Sequence, residues 1–152
     1  MTELKNILIE STSKTPQIDF NTLTGDLILS GRSIPENATE FYDPLFYWVN
    51  KYAKKSRPTT NLRINLEYFN TASSIWLAKI VKSLSRIQKS DSMLFIHLYF
   101  NIEEFNSMET EDLTDTLSPV IDIVKNSVIS IGVKIYGTDN NGDIIKESLV
   151  LI

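Results

Sequence analysis

The sequence predicts an α/β fold: a β-sheet with amphipathic helices packed on it, ending in a C-terminal β-hairpin. Three observations carry this. Leu62 to Tyr68 alternates apolar and polar residues without a miss, the period of a strand with one buried face. Leu77, Ile80, Val81, Leu84 and Ile87 then recur at spacings of three and four, the period of an amphipathic helix. Met93 to Phe100 is nearly continuous apolar, as expected of a central strand covered on both faces. A strand, helix, strand order of this kind joins parallel neighbours by a crossover.

The other elements follow in chain order. After a polar leader, Gln17 to Phe20 and Asp26 to Ser30 read as two short strands, joined by the turn-rich Asn21-Thr22-Leu23-Thr24-Gly25 into an opening hairpin. Pro35-Glu36-Asn37 punctuates the start of a helical segment in which Leu45, Trp48, Val49 and Tyr52 share one face. Pro44 is awkward deep in a helix, so the reading favours Asp43 capping a fresh start, with a kink as the alternative. Ser56 to Thr60 is a connector, and Ser90-Asp91-Ser92 ends the second helix. The acidic stretch from Glu103 to Asp115 has no clear assignment, and a shorter helix is expected near Val120 to Lys125. Finally, Val128 to Tyr136 and Ile144 to Ile152 flank an Asn-Gly turn, whose positive φ values suit a tight hairpin.

At 152 residues the chain is the size of one domain, and residues 1–152 are read as one. Its 42% hydrophobic and 22% charged content is that of a soluble globular protein. No run approaches the roughly 20 apolar residues of a membrane span, and the N-terminal residues lack a secretory pattern, so a cytoplasmic location is expected. The absence of cysteine removes disulfides, thiol catalysis and thiolate metal sites together. A net charge of -4 has the wrong sign for attraction to nucleic acid or anionic lipid.

Few residues invite chemistry. His97, the only histidine, lies in the apolar strand beside Phe95 and Tyr99 with no nucleophile or acid near it in sequence, so it reads as a packed, hydrogen-bonded histidine. Asp139, Asn141 and Asp143 resemble the start of a calcium loop, but Gly142 and Glu147 fall at the wrong positions, and a hairpin turn explains them. With five unclustered glycines there is no phosphate-binding or dinucleotide loop. The acids between Glu103 and Asp115 lack a fixed spacing and read as a solvated face. No cofactor or metal is called for.

The richest spot is Asn70-Thr71-Ala72-Ser73-Ser74, where a strand hands over to a helix. A hydroxyl there can cap the free N–H groups of the first helical turn, at about 1 kcal/mol. The same place favours an anion, because those N–H groups and the helix dipole point at it. A phosphate on Thr71 would add about -1.5 to -2 charges to a surface that had offered a hydroxyl.

At these residues the sequence resembles the SiaC family of bacterial regulatory phosphoproteins. The resemblance rests on ordered blocks: Thr15 to Phe20, Gly25 to Ala38, Glu40-Phe41-Tyr42 with Pro44 and Trp48, and Leu66 to Ser74. It runs through about residue 100, and the final hairpin reads as an addition. Members often carry Asn-Thr-Ser-Ser where this chain has Ala72 after Thr71. The resemblance implies a SiaC-like regulatory domain, distantly similar to the STAS fold of anti-sigma-factor antagonists, acting without catalysis in a partner-switching circuit. It implies phosphorylation of Thr71 by an anti-sigma-factor-type Ser/Thr kinase and its reversal by a PPM-type phosphatase. The unphosphorylated form would bind an effector such as a diguanylate cyclase. Arg32 and Glu36, in a segment whose Gly, Pro and Asn could serve only to turn the chain, are placed beside Thr71 on the recognition surface. Ser33, Asn37, Asn70, Ser73 and Ser74 join them. Two competing readings are a constitutive scaffold whose hydroxyls only cap, and a small carboxylate or magnesium enzyme.

Overall fold

The computed structural model describes residues 3–109 and 117–152. Seven strands form one mixed sheet: β1 (Ile7–Ile9), β2 (Gln17–Asn21), β3 (Asp26–Ser33), β4 (Thr59–Phe69), β5 (Met93–Asn101), β6 (Ser130–Thr138) and β7 (Ile144–Leu151). Four helices are described: α1 (Ala38–Lys54), α2 (Thr71–Ser85), α3 (Ile102–Glu109) and α4 (Ser118–Val124). The sheet is mixed α/β in the way the sequence predicts. β2 and β3 form the opening hairpin, β3 to β6 run parallel, and β6 and β7 close the sheet as an antiparallel hairpin.

Strand order in space equals strand order in the chain. α2 packs against both α1 and α4, which places the three on one face of the sheet, as expected of crossovers that step always in one direction. There the core gathers Ile18, Phe20 and Leu29 from the hairpin, Leu62 and Ile96 from the parallel strands, and Ile135 from β6. Leu45, Trp48, Val49 and Tyr52 of α1 and Leu77, Ile80, Val81 and Leu84 of α2 are all buried, as their spacing predicts. Each such side chain contributes about 1.5–3 kcal/mol on burial.

Four expectations need correction. The polar leader holds a strand: β1 pairs with β2, and the Lys5 carbonyl accepts from Trp48 Nε1 at 2.6 Å. β3 continues through Gly31-Arg32-Ser33 instead of turning there, with a register shift between Gly31 and Arg32 and Gly31 at φ 109°. α1 is one helix begun at Ala38 and capped by Asn37, so Asp43 is not a cap and Pro44 lies inside. An interior proline costs about 3 kcal/mol; its exposed position lets the orphaned carbonyl reach water, and the buried face of α1 offsets the loss. β5 is central in the strand order, but the helices cover one of its faces, while Met93, Phe95 and Tyr99 lie on the other and are not fully buried.

The Gly25 turn is sterically exacting. At φ 77° any Cβ would lie 2.5 Å from the Thr59 carbonyl oxygen, and the Gly25 carbonyl accepts from Asn61 N–H at 2.9 Å. No described helix is long and apolar enough to cross a membrane.

Candidate functional site

The end of β3 and the junction between β4 and α2 meet at one corner of the sheet. Arg32 lies opposite Tyr68 and Ser33 opposite Phe69 in the β3–β4 register, and Asn70 N–H donates to the Ser33 carbonyl at 3.0 Å. Beneath this corner runs a buried chain of hydroxyls. Ser73 Oγ donates to the Ser33 carbonyl at 2.9 Å, Ser33 Oγ donates to Ser73 Oγ at 2.8 Å, and the Tyr42 hydroxyl completes the chain on Ser33 Oγ. Linked hydroxyls of this kind polarise one another and fix the elements that bear them, here β3, α1 and α2. Burial pushes the Tyr42 phenol above its usual pKa, against the opposing pull of the Ser33 and Ser73 hydrogen bonds.

This decides the roles of several residues. Asn70, not a hydroxyl, caps α2: its side-chain oxygen accepts from Ser73 N–H at 2.9 Å. Asn37 caps α1 in the same way, accepting from Glu40 N–H at 3.1 Å. Ser33 and Ser73 are wholly buried, so their side chains do not form part of an exposed partner-binding surface. Ser74 is half-buried and donates to the Thr71 carbonyl at 2.7 Å. Arg32 is exposed and pairs with Glu67 at 3.5 Å, beside the end of β4. Glu36 pairs with Lys14 at 2.8 Å; the hydrogen bond and charge of Lys14 lower the Glu36 pKa, and Glu36 raises that of Lys14 in return.

Thr71 is the first residue of α2 and is exposed. Its hydroxyl has no hydrogen-bond partner among the described residues. The Ser73 and Ser74 N–H groups are taken by Asn70, which leaves those of Thr71 and Ala72 without acceptors among the described residues. No acidic side chain occupies the first turn of α2, so the positive end of its dipole is uncompensated there. Close to Thr71 in the chain are three large apolar side chains that sequence reasoning passed over, each about half exposed or more: Tyr68 and Phe69, which end β4 and alternate between its two faces, and Ile75 on α2. Ile75 is four residues along α2, on the face that Thr71 occupies. The available signal was their place in the pattern, since Tyr68 and Phe69 prolong β4 past its buried section.

A cavity opens beside this corner. β4 and β5 pair only as far as Ile64 and Leu98; beyond that point β4 keeps β3 as its neighbour and β5 keeps β6. The parting leaves a space of about 900 Å³ between the strands and helices, lined by Leu66, Leu77, Val81, Leu98, Phe100 and Ile123. Phe69 and Ser74 stand at its Thr71 side, and Glu67 and Glu104 supply its charges.

The remaining candidates are structural. His97 is 3% exposed; Tyr136 OH donates to Nδ1 and Nε2–H donates to Asn61 Oδ1, both at 2.7 Å. Burial, then the charges of Arg63 and Lys134, lower its pKa to about 4, so the ring is neutral. Asp139 Oδ1 accepts the N–H groups of Asn141 and Asp143, each at 2.9 Å, and Gly142 takes φ 83°, as a hairpin turn requires. Glu103 and Glu104 open α3, where Asn101 and Glu104 hydrogen-bond reciprocally at 2.8 Å. The acids from Glu111 to Asp115 lie outside the described residues. Among the described residues no group of three or more His, Asp or Glu is placed to hold a metal ion.

Comparison with known proteins bears on this corner. The model of the SiaC family regulatory phosphoproteins matches residues 9–127, farther than the sequence blocks alone reach. A curated relative, an uncharacterized protein of Pseudomonas aeruginosa (strain UCBPP-PA14), is 30% identical over 70 residues, 46% of this chain. The match spans 56% of that relative's length. Among solved structures, apo-SiaC from Pseudomonas aeruginosa superposes with a TM-score of 0.63 at 19% identity, over 84% of this chain and 98% of that one. The structure of the diguanylate cyclase SiaD in complex with its activator SiaC, from the same organism, gives 0.62 at 20% identity, over 82% and 97%. At those identities the structural likeness speaks for the fold, while the family match takes in the β3, α1, β4 and α2 segments that build the Thr71 corner. By that match the chain belongs to the SiaC family of regulatory phosphoproteins.

Proposed function

We propose that residues 1–152 act as one non-enzymatic regulatory domain, and that phosphorylation of Thr71 decides whether it binds its effector. The observation that carries this is the placement of the Thr71 hydroxyl. It is exposed, makes no hydrogen bond among the described residues, and lies at an uncompensated helix N-terminus, in a stretch that also exposes Tyr68, Phe69 and Ile75. In the unmodified form the exposed apolar side chains near Thr71 and the adjoining cavity offer a docking surface, with Arg32 at its margin. A phosphate on Thr71 meets free N–H groups and the positive end of the dipole, so the fold accommodates it. The same dianion would have to be stripped of water by any partner seated on Tyr68, Phe69 and Ile75, which disfavours binding.

In this reading an anti-sigma-factor-type Ser/Thr kinase adds the phosphate and a PPM-type phosphatase removes it. A diguanylate cyclase is the effector class suggested by the complex of the Pseudomonas aeruginosa relative. Ser33, Asn37, Asn70 and Ser73 hold the surface in place, and Ser74 lies where the surface meets the cavity.

The test is mass spectrometry of the protein isolated from its native host in growing and starved cells, with a Thr71→Ala strain as control. Phosphate on Thr71 that changes with condition is the expected result. A Thr71 that stays unmodified in every condition would sink the switch.

A further inference from the structure

The parting of β4 from β5 leaves a space whose lining is sorted into an apolar wall and an acidic rim. Side chains alternate between the two faces of a sheet, and Leu62, buried in the core under the helices, fixes the phase of β4. Leu66 therefore points toward the helices and Asn65 away from them; Glu67, next along the strand, is exposed. On β5, buried Ile96 fixes the phase in the same way, so Leu98 and Phe100 turn toward the helices and Tyr99 and Asn101 away. The cavity of about 900 Å³ is lined from both sides. Its inner wall is apolar: Leu66, Leu98 and Phe100 from the strands, Leu77 and Val81 from α2, and Ile123 from α4. Its rim carries Asn65, Tyr99 and Asn101 with the carboxylates of Glu67 and Glu104.

Among the described residues no cation lines this cavity. Arg32 meets Glu67 from outside at 3.5 Å, between side chains that are both more than half exposed, a pairing that contributes little. Glu104 accepts from the Asn101 amide at 2.8 Å, which orients its carboxylate without neutralising it. Backbone groups add to the rim. Beyond Ile64 and Leu98 each strand turns the N–H and C=O of alternate residues toward the gap, where no described strand receives them.

We propose that this cavity binds a small cationic amphiphile, its aliphatic chain against Leu66, Leu77, Leu98 and Phe100 and its ammonium group at the rim with Glu67 and Glu104. Size and charge select that occupant. The volume falls in the range of about 300–1,000 Å³ that encloses most of a small ligand. The charge lies at one end only, and its sign disfavours anionic amphiphiles, since a fatty acid would bring a third carboxylate to two that lack a cation. An ammonium has three donors and no acceptor, which suits the carboxylates and the outward carbonyls alike. The inference goes beyond the Thr71 switch and does not rest on it, because the ligand is read on the unmodified protein alone.

The experiment is isothermal titration calorimetry of the full chain with hexyl-, octyl- and decylammonium chloride, below the concentrations at which they form micelles. Octanoate and octan-1-ol serve as the anionic and neutral counterparts. Saturable one-to-one binding is expected, tightening about four-fold per added methylene, with octylammonium ahead of octan-1-ol and octanoate weaker by about ten-fold or more. Ala78 lines the cavity from α2 and is not fully buried, so Ala78→Phe places its ring in the space and should abolish binding. Glu67→Gln combined with Glu104→Gln keeps the shape, and a Gln can replace Glu in the reciprocal bond at the start of α3; this pair should bring octylammonium and octanoate to similar affinity. If circular dichroism shows that Ala78→Phe has unfolded, methyl NMR of the unaltered protein decides. Octylammonium should then shift the signals of Leu66, Leu77, Leu98 and Ile123 and leave those of Leu8 and Leu23, exposed elsewhere on the surface, in place. No saturable binding at any chain length would overturn the proposal and leave the cavity to a partner's side chain. So would octanoate binding as tightly as octylammonium, binding that folded Ala78→Phe retains, or methyl shifts that spread to Leu8 and Leu23.

Discussion

Replacing Asn70 and Thr71 separately should split helix capping from signalling. Asn70 Oδ1 accepts the Ser73 N–H at 2.9 Å, whereas the neighbouring Thr71 hydroxyl bonds nothing described. Losing an N-cap oxygen costs about 1 kcal/mol, which for a chain of this size lowers Tm by about 2–4 °C. Asn70→Ala should show that loss. Thr71→Ala removes an exposed hydroxyl and inserts a better helix former, so its effect should stay within about 0.5 kcal/mol of zero. Urea unfolding followed by tryptophan fluorescence can resolve the two, because Trp48 is buried and Trp76 sits half-buried on α2. A Thr71→Ala cost equal to or above that of Asn70→Ala would show that the threonine is structural and remove the premise of the switch.

Three further outcomes follow from the interior. The His97 pKa of about 4 lies below the ordinary value of 6.5, so the unfolded chain binds more protons between those values. The stabilisation is full above pH 6.5 and is lost as pH falls toward 4, by about 3 kcal/mol; urea titrations at pH 7 and 4.5 should show a slope that His97→Gln flattens. Tyr42→Phe removes one member of the buried hydroxyl chain and should cost about 1 kcal/mol, read by denaturant midpoint. Gly25→Ala forces a Cβ against the Thr59 carbonyl at positive φ and should cost more than about 2 kcal/mol, visible as a lowered Tm.

Elements with a sustained period were legible in the sequence. Leu62 to Tyr68 alternates over enough residues to declare a strand, and the α1 and α2 apolar faces repeat often enough to declare helices. β1 was missed because three residues carry no period, and its strand state comes from β2 beside it. Pro44 argues locally for a boundary, yet Leu45, Trp48, Val49 and Tyr52 share a core that keeps the helix whole. The hydroxyls at the strand–helix junction were noticed, but their division of labour was not. Ser73 is bound to Ser33, forty residues away, and Ser74 to the Thr71 carbonyl three residues before it. Nothing local distinguishes them. The parting of β4 from β5, which creates the cavity, is likewise a relation between strands.

The identity of spatial and chain order in the sheet bears on how the molecule is made. Every strand neighbours the strands just before and just after it in sequence, so no gap has to be held open for a segment synthesised later. Contacts between nearby segments incur less loop-closure entropy and favour fast folding. Because chains emerge N-terminus first, β1 to β3 can pair while α1 is still being added, and each crossover then lays its strand against an edge already formed. The Thr71 corner needs nothing beyond α2 to assemble its hydroxyl chain, so it can be complete before β5 leaves the ribosome. β7, the last strand of the described sheet, joins when the other six are already in place.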